Sequence, residues 1–194
     1  MNTKKLTLII VFVALAAALN AAGPKIPAPY APFLYYQLWE IPIVIAFLVI
    51  GPKEGIFVAF LNTLILFAVF NPGGNFGPLY NLIAMLAMFL GFYIPYGLAT
   101  HGCKTENLSD FLQQHIKMIS ISATALGITL RVLITTVINY FALQQPYPIG
   151  FSYNQHSALL FLPLSVLFNA TVAVYTIPIG FAVAIVILKR FNLR

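Results

Sequence analysis

Arg131, Thr135 and Asn139 stand four residues apart in the apolar stretch Ile128–Tyr147. On a helix that spacing puts them on one face as a polar stripe. The stretch is long enough to cross a bilayer. An arginine at the centre of a membrane helix costs about 2.5 kcal/mol or more, so this face must look at protein or at a water-filled cavity. A guanidinium, a hydroxyl and an amide side by side suit capture of a small polar ligand. The same groups also serve as hydrogen-bonding contacts between helices. Glu40 is the only acid inside an expected span. It either pairs with Arg131 or sits near the membrane surface, depending on where its helix begins.

Asn62, Asn81 and Asn169 are single amides in three further apolar segments. Each is expected to face the bundle interior, where an interhelical hydrogen bond is worth about 0.6 kcal/mol. Together they suggest several helices converging on one polar cavity. Tyr36 and Tyr147 belong to two connecting segments rich in Tyr, Phe, Pro and Gln and almost free of charge. Such rings anchor at a membrane interface or stack on a flat ligand as a lid. Ala14, Ala18 and Ala22 form a small-residue stripe on the first helix. That spacing allows another helix to approach closely, within the bundle or from a separate membrane subunit.

Catalysis has little support. There is no Walker A, HExxH or GxSxG sequence. His101, His115 and His156 make no metal-binding constellation, and Cys103 stands alone, which excludes an internal disulfide and a cysteine metal cluster. The chain is read as neither an enzyme nor a metalloprotein.

The elements that must position these residues follow from composition. Of 194 residues, 61% are hydrophobic and 7% charged, against about 25% charged in a soluble domain. This is the composition of an integral membrane protein, read as one domain over residues 1–194. The net charge of +6 comes from few, scattered basic residues and does not make a nucleic-acid surface. Apolar runs and Gly/Pro breaks predict an all-α, compact bundle of six transmembrane helices at about 6–23, 33–50, 56–70, 78–100, 116–143 and 158–188. Four prolines in Pro24–Gln37 forbid a regular helix through its first part. The second helix therefore either begins near Phe33 or is a short segment from Leu38 that dips in beside a loop. Thr100–His115 is the most polar stretch and is expected to be a loop with at most a short surface helix. Six helices put both termini on one side, together with Lys4, Lys5, Lys53, Lys104, Lys117, Lys189, Arg190 and Arg194, against only Lys25 opposite. The positive-inside rule makes that side cytoplasmic in a multi-pass protein of the cell membrane.

At the level of motifs the chain resembles the substrate-binding S components of energy-coupling factor (ECF) vitamin transporters, and the riboflavin-specific members most. The resemblance is carried by the alanine-rich first helix, WEIP and GPKEG (Trp39–Pro42, Gly51–Gly55) and GIFVAFLN (Gly55–Asn62). GPLYN (Gly77–Asn81), NYF (Asn139–Phe141) and PY (Pro146–Tyr147) complete it. It implies a six-helix bundle that captures a vitamin, riboflavin at best guess, from outside. Asn139 would bond the ligand and the loop between the first two helices would cover it. It also implies docking through Ala14, Ala18 and Ala22 onto a transmembrane coupling subunit carried by two ATPase subunits. The pattern departs from the riboflavin-type members at Asn62-Thr63, where they carry Lys-Asn. It departs again after Pro163, where Ser165 and Phe168 replace Asn and Lys, and at Arg131. Another vitamin or small planar solute therefore remains an alternative, as does a membrane assembly protein with no small ligand.

Overall fold

The computed structural model describes residues 3–69, 71, 73–100 and 108–191. Cys103, Lys104, Glu106, His101 and Arg194 lie outside them. The elements run α1 (Thr3–Ala22), β1 (Ile26–Ala28), β2 (Ala31–Tyr36), α2 (Glu40–Val49), α3 (Pro52–Val69), α4 (Gly77–Thr100), α5 (Leu108–Gln144) and α6 (Gln155–Phe191). Five of the helices are long and apolar enough to cross a membrane; α2, with ten residues, is not.

Two expectations are corrected here. The helix expected over 33–50 is an antiparallel hairpin followed by the short α2. Ile26 pairs with Tyr36, Pro27 with Tyr35 and Ala28 with Ala31, with an irregularity between Pro27 and Ala28. The bundle is thus not wholly helical. The prolines that exclude a helix are compatible with a two-stranded ribbon, in which each strand has one edge free of ladder bonds. The dipping segment is the alternative realised, and its helix starts at Glu40. Pro42 is tolerated because it falls in the first turn. The expected loop Thr100–His115 is also shorter than foreseen, since α4 reaches Thr100 and α5 begins at Leu108.

The turn from α2 to α3 is made by Ile50-Gly51. Gly51 has φ +146°, a conformation open to glycine and strained for other residues. Pro52 then opens α3 at the position where a missing N–H costs nothing. A Cβ on Gly55 would overlap the backbone of Phe47, and one on Gly91 the backbone of Gly127. These glycines let α3 close on α2 and α4 close on α5.

The half of the bundle around α2 and the middle of α1 is dry. Ile9, Phe12, Ile43, Val44, Val58, Met88, Ile177 and Phe181 are buried in one cluster there. Phe47, Phe89, Phe92 and Phe181 form its aromatic centre, with ring centroids 4.4 Å apart for Phe47–Phe89 and 5.7 Å for Phe92–Phe181. On α1 the buried face is Ile9, Phe12, Val13, Ala16 and Asn20. Ala14, Ala18 and Ala22 fall on its exposed side. Lys5 Nζ bonds Glu54 Oε1 at 2.9 Å and ties α1 to the start of α3.

Candidate functional site: a polar cavity under the hairpin

The other half of the bundle contains a cavity of about 770 Å³. It opens at the end where α1 and α3 finish and α2 and α4 begin. Asn20 and Ala21 come from the last turn of α1, Leu66 from that of α3, and Gly77 to Ala84 from the first turns of α4. Arg131, Thr135, Asn139 and Leu143 climb α5 from the base towards the mouth at four-residue spacing. Phe161, Ser165, Phe168, Asn169, Val172 and Tyr175 descend along α6. The hairpin contributes Phe33, Leu34 and Tyr35, and the segment before α6 contributes Phe151 and Tyr153.

Glu40, the first residue of α2, meets Arg131 at the base. Arg131 Nη2 donates to Glu40 Oε1 at 2.9 Å, and Nη1 donates to Oε2. Arg131 Nε donates to Asn169 Oδ1 at 3.3 Å. The two ionic residues are 2% and 4% exposed, so neither has bulk water as a partner. Asn169 Nδ2 donates to the Ser165 carbonyl at 3.0 Å, and Asn139 Nδ2 donates to Ser165 Oγ at 2.5 Å. A chain of hydrogen bonds therefore runs Glu40–Arg131–Asn169–Ser165–Asn139 up one wall. Thr135 Oγ1 is turned back to the Arg131 carbonyl at 2.7 Å, the usual resort of a hydroxyl in an apolar helix.

The rim is aromatic. Phe33 of the hairpin stacks on Phe161 at 5.6 Å, and Tyr153 meets the edge of the same ring at 6.3 Å. Tyr80 Oη donates to the Ile149 carbonyl at 2.7 Å and fastens the segment before α6 to α4. The hairpin is fastened to α6 at its far end. Tyr36 stacks on Phe168 at 5.2 Å, Tyr30 and Tyr36 share a hydroxyl–hydroxyl bond of 2.5 Å, and Tyr175 Oη donates to the Gln37 carbonyl at 2.6 Å. Burial, followed by the bond to Tyr36, raises the Tyr30 phenol from 10.0 to about 12.

Six of the residues singled out from the sequence meet on this wall: Arg131, Thr135, Asn139, Glu40, Asn81 and Asn169. Three do not. Asn62 is 1% exposed but lies one turn short of Leu66, the residue through which α3 reaches the cavity. Both its amide atoms lack a partner among the described residues. Tyr36 faces Phe168 and backs the wall without forming it. Tyr147 is 63% exposed on the loop surface. Sequence reasoning did not place Asn20, Gln37, Trp39, Tyr80, Phe161 or Tyr175 at a site, and it met Ser165 and Phe168 only as departures from the riboflavin-type pattern. With Val172, the α6 residues Phe161, Ser165, Phe168 and Tyr175 recur every three to four residues, a signal that was available.

No protein-family model matches the chain, and no curated protein sequence is significantly similar to it. Its fold does match a solved structure, that of the S component of a bacterial ECF transporter. The TM-score is 0.66 and the identity 22%, over 99% of this chain and 97% of that one. The chain is a multi-pass membrane protein with the fold of such a component, and the cavity is enclosed by that fold.

Proposed function

We propose that the chain is the substrate-capturing subunit of an ECF-type vitamin transporter, with riboflavin as its first-choice ligand. The observation that carries this reading is the 770 Å³ cavity, a size suited to a vitamin-sized molecule. Its wall joins aromatic faces to amides and a neutralised ion pair. Such a wall takes a planar heterocycle: rings supply stacking and the amides supply direction. Asn139 holds its Nδ2 on Ser165, which leaves its carbonyl oxygen to accept from a ligand. Asn81, exposed at the mouth, offers a second amide. The hairpin and the segment before α6 cover the site from outside, with both termini cytoplasmic in the cell membrane. Ala14, Ala18 and Ala22, exposed along α1, form the face that docks on a transmembrane coupling subunit carried by two ATPases.

The test is to purify the chain in detergent and identify what accompanies it. Flavin absorbance and a flavin mass in the extracted fraction are the expected result. Asn139→Ala should weaken riboflavin binding by about one to two orders of magnitude, the effect of leaving one buried hydrogen-bond partner unsatisfied. A different co-purified vitamin would support the runner-up, another planar solute, which is favoured by Phe168 standing where riboflavin-type members carry lysine. A preparation free of any small molecule, with no binding from a vitamin panel, would remove the capture reading in favour of an assembly protein.

A further inference from the structure

The base of the cavity has unused hydrogen-bonding capacity of a particular kind. A guanidinium has five N–H donors. Arg131 gives Nε to Asn169, one N–H each of Nη1 and Nη2 to Glu40, and the second Nη1 proton to Met88 Sδ at 3.9 Å. One N–H on Nη2 remains without a partner among the described residues. A carboxylate has about four acceptor positions, and Glu40 uses two on Arg131. Both residues line the cavity. The pair is neutral overall, and among the described residues the only other charged group on the wall is Lys25, exposed beside the hairpin.

A ligand carboxylate or phosphate arriving here would meet an arginine already compensated and a glutamate repelling it in a low dielectric. It would also lose its hydration without gaining a counter-charge. A neutral edge carrying an N–H beside a C=O fits both vacancies, with N–H donating to Glu40 and C=O accepting from Arg131. Both bonds are charge-assisted and stronger than neutral ones.

We propose that the Arg131–Glu40 pair is a specificity determinant that selects a ligand by a neutral N–H/C=O edge, as in a lactam, imide, cyclic urea or amide, and rejects acids at the cavity base. The selection rests on the capture reading above but is separable from it. Two matched probe pairs are used on the detergent-purified chain by calorimetry: riboflavin against its N3-methyl derivative, and nicotinamide against nicotinate. The wild type should prefer the member with the free neutral edge by about tenfold or more, as sites built to bond a polar group do. Glu40→Gln leaves the arginine uncompensated, so nicotinate should gain on nicotinamide and the preference should shrink or invert. A pair that only packs the helices leaves every affinity ratio unchanged in the variant, even if all affinities fall. Should Glu40→Gln fail to fold, the wild-type comparison of riboflavin with its N3-methyl derivative still decides. Equal affinities within each pair overturn the selection and leave capture standing. Binding of no probe also overturns it, while capture is judged separately by the molecule that co-purifies.

Discussion

Arg131→Met tests whether the ion pair under the cavity holds the bundle together. Arg131 and Glu40 are 2% and 4% exposed, so removing the guanidinium strands a carboxylate in the interior and takes a donor from Asn169. Breaking a buried pair on one side costs about 3–5 kcal/mol. For a chain of this size each kcal/mol moves the unfolding midpoint by about 2–4 °C. The expected fall is therefore about 6–20 °C, read by heating detergent-purified protein and following the monodisperse fraction by size exclusion. The double variant Glu40→Met/Arg131→Met removes both charges, and replacing a buried pair by apolar residues is often neutral. It should recover most of the loss. A single variant within about 2 °C of wild type, or a double variant no better than the single, would refute the reasoning.

Four further outcomes are expected. Gly91→Ala should cost about 1–3 kcal/mol of thermal stability by overpacking the α4–α5 crossing. Gly73→Ala, whose new Cβ meets only the end of the Tyr147 side chain at 3.1 Å, should stay within about 0.5 kcal/mol. Because the Tyr30 phenol is raised from 10.0 to about 12, its contribution to stability is whole below pH 10.0 and is lost as pH rises towards 12. Phenolate absorbance should show a late-titrating component that Tyr30→Phe diminishes by one phenol. In a Cys103→Ser background, Tyr147→Cys should react with a membrane-impermeant maleimide from outside and Lys53→Cys should not; the opposite pattern would invert the proposed orientation.

The sequence made the α5 stripe legible because one arginine in an apolar run admits few interpretations. It left the partner of Arg131 open because Glu40 follows a proline-rich segment whose structure is not set by apolar periodicity. Pro27 and Pro32 argue against a strand as much as against a helix, and only pairing across the turn makes the ribbon evident. Asn62 shows a different limit. A polar residue in an apolar span signals the interior, yet the bundle has two interiors, one dry and one hollow. Which of them a residue enters depends on its height along the helix. Tyr36 was misplaced for the same kind of reason: its ring lies at the outer connection as expected, but its neighbours Phe168 and Tyr175 are more than a hundred residues away in the chain.

The short α2 accounts for both interiors. Ten residues rise about 15 Å, half of a hydrocarbon core of about 30 Å. Where α2 exists, its side chains Ile43, Val44 and Phe47 fill the centre of the bundle and the interior is dry. Beyond its first residue no helix occupies that position, and five long helices cannot close the gap by themselves. The hairpin covers it, its inner edges paired strand to strand and its outer edges free of ladder bonds, which places it at the end of the apolar layer and not within it. The space left beneath is the cavity. Its base is set at the N-terminus of α2, where a carboxylate is favoured by the helix dipole. Glu40 stands at that point, and Arg131 reaches it from α5. The half-length helix thus fixes the depth of the cavity, the position of the only acidic group that lines it among the described residues, and the need for an arginine opposite.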